Sequence, residues 1–270
     1  MSSTISTRPS PTAHPQMCAV PCPVPPPPDV LLDVIPPSYF QVAAGSFPAG
    51  GAILSGDFVD VFPTGDDRWV AVLGDVCGKG SAAAAVADGV RAMIRCAAAR
   101  DDRPAQILSR LNGLLMRDGL ATTRFLTVVC LLLRPAVRGV EITLCSAGHP
   151  PVLLRHHDSR VDPVGGGGTM LGVISEPQLA ASRVLLGAGD TLLLYTDGVT
   201  EARRGDEEYA GRLPHLLARV GGSDVTTVPG HIQRAVLAFG GGTNRDDLAV
   251  LAVRGGPVAA VGACRPSAAG

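Results

Sequence analysis

Four short aspartate motifs recur along the chain: Ser55-Gly56-Asp57-Phe58, Gly74-Asp75-Val76-Cys77-Gly78-Lys79-Gly80, Tyr195-Thr196-Asp197-Gly198 and Arg245-Asp246-Asp247. Each borders an apolar stretch that reads as a strand. A carboxylate there is costly to bury unless it is paired or bound to a cation. Four carboxylates brought together repel, and at least one stays protonated. Divalent cations remove that conflict, and all-oxygen sites suit magnesium or manganese rather than zinc. The chemistry implied is a carboxylate-held metal centre that activates water. Any one of these aspartates alone reads as a turn or cap residue, a role Asp favours. Their recurrence at glycine-rich strand ends is what points to a shared site. Asp60 and Asp247 are ambiguous neighbours. A regular strand sends Asp57 and Asp60 to opposite faces, and adjacent residues such as Asp246 and Asp247 also diverge.

Other reactive side chains carry weaker signals. Gly74 to Ser81 looks like a phosphate-binding loop, but only three residues separate Gly74 from Gly78, and Gly80 follows Lys79. The P-loop needs four residues there and a Ser or Thr after the Lys. The glycines instead let the backbone wrap closely around whatever Asp75 binds. The helix after them offers free N–H groups suited to a phosphate. His149, in Ser146-Ala147-Gly148-His149-Pro150-Pro151, reads either as a proton donor or as a turn residue. His156 and His157 read as exposed loop residues. Cys77 has no firm His partner and reads as packing rather than as a nucleophile.

These residues need a scaffold, and composition bounds it. The chain has 270 residues, 46% of them hydrophobic, and a net charge of −1. Its mean hydropathy is +0.26. A sizeable core is expected, with no electrostatic case for nucleic acid or an acidic membrane surface. Seven scattered cysteines fit a reducing compartment. The first residues lack the basic and apolar segments of a signal peptide, and Leu126 to Leu133 is too short to span a bilayer. A cytoplasmic protein is the expectation. Eleven of the 23 prolines fall within the first 37 residues. Residues 1–37 are expected to be a disordered or polyproline tail, residues 38–254 one domain, and residues 255–270 a loose tail.

Within that domain, strands are expected at Phe40 to Phe47, Asp57 to Phe62, Trp69 to Leu73, Phe125 to Leu133, Val140 to Leu144, Val152 to Leu154, Val184 to Leu186, Thr191 to Tyr195 and Leu248 to Val253. One helix opens at Gly80-Ser81 with Ser81 as N-cap. A second starts near Pro104, and two more cover Tyr209 to Val220 and Val228 to Phe239. Runs of strands with helices grouped in pairs argue for α+β with largely antiparallel sheets.

The aspartate motifs, in full Ser55-Gly56-Asp57-Phe58-Val59-Asp60-Val61-Phe62, Gly74 to Gly80, Ser146 to Pro150, Tyr195-Thr196-Asp197-Gly198-Val199-Thr200-Glu201-Ala202 and Arg245-Asp246-Asp247, resemble those of SpoIIE-type serine/threonine phosphatases. That group belongs to the metal-dependent, type 2C superfamily, and the wording is most like actinobacterial members. The resemblance covers about Ser38 to Arg254. It implies a four-layer sandwich of two antiparallel sheets flanked by helices. It also implies two Mn2+ or Mg2+ ions held by Asp57, Asp75, the Val76 carbonyl, Asp197 and Asp246. Ser55 stands in place of a common glycine and Val59 in place of a common aromatic, and neither change removes a carboxylate. The implied reaction is hydrolysis of phosphoserine or phosphothreonine by metal-activated water. The implied partner is a phosphorylated regulatory protein of the anti-anti-sigma kind. In this family the helices after the Asp75 loop are where activation acts. Arg91 and Arg95 are therefore expected on an exposed face there, open to a partner or to a homodimer contact. A phosphoprotein-binding module without catalysis and a hydrolase of another phosphate ester remain alternatives.

Overall fold

The computed structural model describes residues 36–49, 54–65, 67–117, 125–242 and 245–257. The expected tail at 1–37 lies almost wholly outside the described residues, as does the C-terminal tail from residue 258 onward.

Antiparallel strands build two five-stranded sheets. The first contains β2 (Asp57–Gly65), β3 (Arg68–Val76), β4 (Leu126–Ala136), β5 (Gly139–Ala147) and β8 (Ala181–Leu186), in the order β2-β3-β4-β5-β8. The second contains β1 (Phe40–Phe47), β6 (Val152–Arg155), β7 (Val161–Val164), β9 (Thr191–Tyr195) and β12 (Leu248–Gly255), in the order β1-β12-β9-β6-β7. A short ribbon, β10 (Arg203–Arg204) with β11 (Glu207–Glu208), stands apart. Strand β12 runs to Gly255, which pairs with Phe40.

The side chains of β4 and β12 explain the layering. Both strands read as unbroken apolar runs because both of their faces are buried. Val128, Cys130 and Leu132 face helices α1 (Ser81–Ala98) and α2 (Pro104–Arg117). Val129, Leu131 and Leu133 face the second sheet, where they meet Leu192, Leu194, Leu251 and Val253. On the far side, Leu193, Val250 and Ala252 pack under α4 (Leu213–Val220) and α5 (Val228–Phe239). The result is helix, sheet, sheet, helix, the α+β sandwich expected. Each wholly buried Leu or Ile in these layers contributes about 1.5–3 kcal/mol relative to an exposed one.

The first helix places Ala83, Ala87, Val90, Ile94 and Ala97 on its buried side. Its cap is Gly80 rather than Ser81, and no side chain caps it. Gly80 has φ +75°, a conformation that costs a glycine little. The N–H groups of Ala83 and Ala84 both donate to its carbonyl.

The expected exposure of Arg95 and Arg91 is corrected here, since both side chains are only 11% exposed. Arg95 instead reaches under the helix to Asp60. Its Nε donates to Oδ2 and its terminal nitrogen to Oδ1, both at 2.6 Å. Its guanidinium lies 4.5 Å over the Phe62 ring. Asp60 is 3% exposed and faces the helix layer together with Phe58 and Phe62. The strand pleat thus turns Asp60 away from Asp57, and a bidentate ion pair satisfies it.

Among the described residues, several elements escaped the sequence patterns: β7, the β10–β11 ribbon, the one-turn helix α3 (Asp197–Thr200) and a 3-10 turn at Val225–Thr227. All are short. Strand β7 carries Pro163 and lies at the sheet edge, where a missing N–H is tolerated.

Candidate metal centre

Strand direction gathers the four aspartates. Asp57 opens β2 and stands directly opposite Asp75 near the end of β3. In the other sheet, Tyr195 ends β9 and pairs with Val250 of β12. Asp197 therefore follows β9, and Asp246 and Asp247 precede β12, at one end of the sandwich. Gly198 permits this closeness, because a Cβ there would lie 1.9 Å from the Asp247 carbonyl. Gly56 plays the same part beside the Asp75 loop, where an added Cβ would lie 2.7 Å from the Val76 carbonyl oxygen.

The carboxylates feel one another. Burial first, and then Asp75, push the Asp57 carboxyl well above the usual range, although the Thr196 hydroxyl donates to it at 2.8 Å. Burial, then Asp197 and Asp246, raise Asp75 to about 6. Burial and Asp246 raise Asp197. Proton affinity raised by burial and then by crowded negative charge marks a place that favours cations. The donors are all oxygen, which suits Mn2+ or Mg2+. Among the described residues, no three Asp, Glu, His or Cys side chains stand at ready chelating spacing. Lys79 supplies a local counter-charge, its Nζ lying 2.8 Å from Asp246 Oδ1 and donating to the Arg245 carbonyl at 3.2 Å.

The two ambiguous neighbours separate cleanly. Asp60 belongs to Arg95. Asp247 is buried and fully engaged, accepting from Ala49 N at 2.8 Å, Ser55 Oγ at 2.8 Å and Gly56 N at 3.1 Å. It ties the segment before β2 to the start of β12. Asp246 is half exposed and turns toward Lys79.

Residues beyond the aspartates complete the arrangement. Thr196 Oγ1 donates to Asp57 and accepts from Ala249 N at 2.9 Å, linking the sheets. His149 is 3% exposed, and burial drives its imidazole down to about 4. Its Nδ1 lies 3.0 Å from Thr127 Oγ1 and its Nε2 3.0 Å from the Tyr195 carbonyl. A carbonyl only accepts, so Nε2 carries the proton. His149 is thus a buried residue with both ring nitrogens engaged inside the protein. Cys77 is half-buried, and its N–H donates to the Phe125 carbonyl at 3.0 Å. His157 is exposed, whereas His156 pairs with Asp162 at 3.0 Å. Thr196 and Thr127 drew no attention in the sequence, where only Thr196's place beside Asp197 hinted at a role.

The raised carboxyls give a pH expectation. Asp75 has a higher pKa folded than unfolded, so its contribution favours folding below about pH 4 and is lost as pH rises through about 6. Above that the charged cluster strains the cation-free protein. Mn2+ should therefore raise the melting temperature more at pH 7.5 than at pH 5, as measured by thermal denaturation at fixed Mn2+ concentration. An equal or smaller shift at pH 7.5 contradicts it.

The family described as Stage II sporulation protein E (SpoIIE) matches residues 65–255. Protein IcfG of Synechocystis is 27% identical over 189 residues, which is 59% of this chain and 29% of IcfG. The structure of the RsbU and RsbW domains of Rv1364c from Mycobacterium tuberculosis superposes with a TM-score of 0.68 at 25% identity, covering 81% of this chain and 61% of that one. The PP2C phosphatase domain of SpoIIE from Bacillus subtilis, with a fragment of its regulatory domain, gives 0.66 at 19% identity, covering 80% and 64%. The chain thus spans less than two thirds of the length of each of these three. With the sandwich, the strand-end aspartates and a family match over most of its length, the chain belongs to the SpoIIE family.

Proposed function

We propose that this chain hydrolyses phosphoserine or phosphothreonine on a regulatory phosphoprotein of the anti-anti-sigma kind, in the cytoplasm, within residues 38–254. Asp57, Asp75, the Val76 carbonyl, Asp197 and Asp246 would hold two Mn2+ or Mg2+ ions. The observation that carries this is the convergence of Asp57 and Asp75 from one sheet with Asp197 and Asp246 from the other at one end of the sandwich, where burial and mutual charge raise the proton affinity of the first three. When bound, two such ions lower the pKa of a water and offset charge on the phosphoryl oxygens.

The chain's own residues prepare that place. Asp57 and Asp75 face each other across one strand pair, so a single strand register sets their spacing. Thr196 orients Asp57. Asp247 locks the loop carrying Ser55 and Gly56, and the Gly56 carbonyl accepts from Val76 N at 3.2 Å. Lys79 neutralises Asp246 until a cation does. The partner class is supported by the RsbU and SpoIIE domains among the relatives.

Activity on a phosphoserine peptide, with Mn2+ and then with excess chelator, tests the proposal. Turnover should appear with Mn2+, vanish in chelator and return when Mn2+ is restored. Phosphopeptide binding without turnover in Mn2+ would favour the binding-module alternative.

A further inference from the structure

Two halves of the proposed centre sit on different sheets. Asp57 and Asp75 belong to the β2–β3 pair, whereas Asp197 and Asp246 border β9 and β12. Chelation depends on the spacing between these halves, and something must hold it while the carboxylates repel. His149 stands at that junction.

Its ring makes one hydrogen bond to each sheet. Thr127, on β4, pairs in register with Asp75. Its hydroxyl meets His149 Nδ1 at 3.0 Å. Tyr195 ends β9, followed at once by Thr196 and Asp197, and its carbonyl takes the His149 Nε2 proton at 3.0 Å. The hydroxyl must donate to Nδ1, because Nδ1 is the unprotonated nitrogen. The ring is thus a directional brace with a hydrogen on one side and a lone pair on the other. The backbone beneath it is also held, as Ser146 Oγ donates to the His149 carbonyl at 3.1 Å and Gly148 N to the Gly167 carbonyl at 3.0 Å.

We propose that His149 is a positioning residue, an imidazole bonded to both sheets that fixes the separation of the two carboxylate halves and so sets divalent-cation affinity. The inference rests on the functional reading above. It assigns His149 no proton transfer, since both ring nitrogens are engaged and the side chain is buried. A misplacement of about 1 Å in a group that holds the cation is enough to matter, and residues that hydrogen-bond to such groups typically change affinity 10–100-fold.

The test is Mn2+ binding by calorimetry, beside a thermal melt and steady-state kinetics. His149→Phe keeps a ring of similar shape and removes both hydrogen bonds. It should weaken Mn2+ binding by about tenfold or more while kcat at saturating Mn2+ falls far less. His149→Gln, which keeps an N–H donor and a carbonyl acceptor, should recover part of that affinity. Thr127→Val removes only the hydroxyl and should shift affinity in the same direction by less. It also stands as the probe if His149→Phe does not fold. A purely structural role predicts a lower melting temperature with unchanged Mn2+ affinity in the folded variants, and that result overturns the proposal. Loss of one limb of the kcat pH profile with unchanged affinity would make His149 a proton donor, which also overturns it. No Mn2+ binding by the wild-type chain would overturn the parent reading itself, apart from any effect of His149.

Discussion

Asp75→Asn should abolish turnover, by on the order of 1,000-fold or more, which corresponds to about 4 kcal/mol of barrier. Asp75 faces Asp57 across the strand pair and is influenced by both Asp197 and Asp246, so it is the carboxylate common to both halves of the cluster. An amide keeps its shape and removes its charge. The same change should make the cation-free protein more stable at pH 7.5, because one of several mutually repelling charges is gone. Opposite movements of activity and stability are the signature of a functional carboxylate, in contrast to a structural one. Kinetics on a phosphopeptide with saturating Mn2+ and a melt in chelator measure the pair. Turnover within tenfold of wild type would remove Asp75 from the chemistry.

Asp60→Asn should do the reverse. Asp60 and Arg95 form a buried bidentate ion pair under α1, with side chains 4% and 11% exposed. Removing one partner leaves an uncompensated buried charge, which costs about 3–5 kcal/mol. That is a large share of an ordinary domain's stability. The folded fraction should nonetheless retain most of its turnover at saturating Mn2+, because Asp60 faces the helix layer and not the carboxylate cluster. A double change, Asp60→Leu with Arg95→Met, should recover much of the stability by replacing the pair with apolar packing. Denaturant unfolding of the two variants and wild type measures the effect. If Asp60→Asn unfolds at wild-type denaturant concentration, the pair contributes little.

Those two neighbouring aspartates mark the line between local and long-range information. The alternation of β2 was enough to state that Asp57 and Asp60 diverge, since side-chain direction in a strand depends only on position. Naming Arg95 as the partner was not possible, and a helix read alone placed Arg95 on an exposed face. That residue's burial depends on which sheet the helix covers and on Asp60 lying beneath it. The bounds of β1 and α5 agree with their apolar patterns because periodicity is carried by contiguous residues. Short elements such as α3 and β7 carry too few residues for a period, so tertiary contacts alone define them.

The candidate site divides in the same way. Its four aspartates were legible because residue type and glycine-rich surroundings are written in the chain itself. The bonds that arrange them join residues far apart: Thr196 to Asp57 across 139 positions, Gly56 to Asp247 across 191, and His149 to Tyr195 across 46. Sequence determined which groups could bind a cation. Only the packing of one sheet on the other decided which of two adjacent aspartates turns toward Lys79, which one anchors a loop, and which histidine braces the halves. The reason is that hydrogen-bond partners across a sandwich are set by strand register and sheet spacing, and neither is encoded in any short stretch of chain.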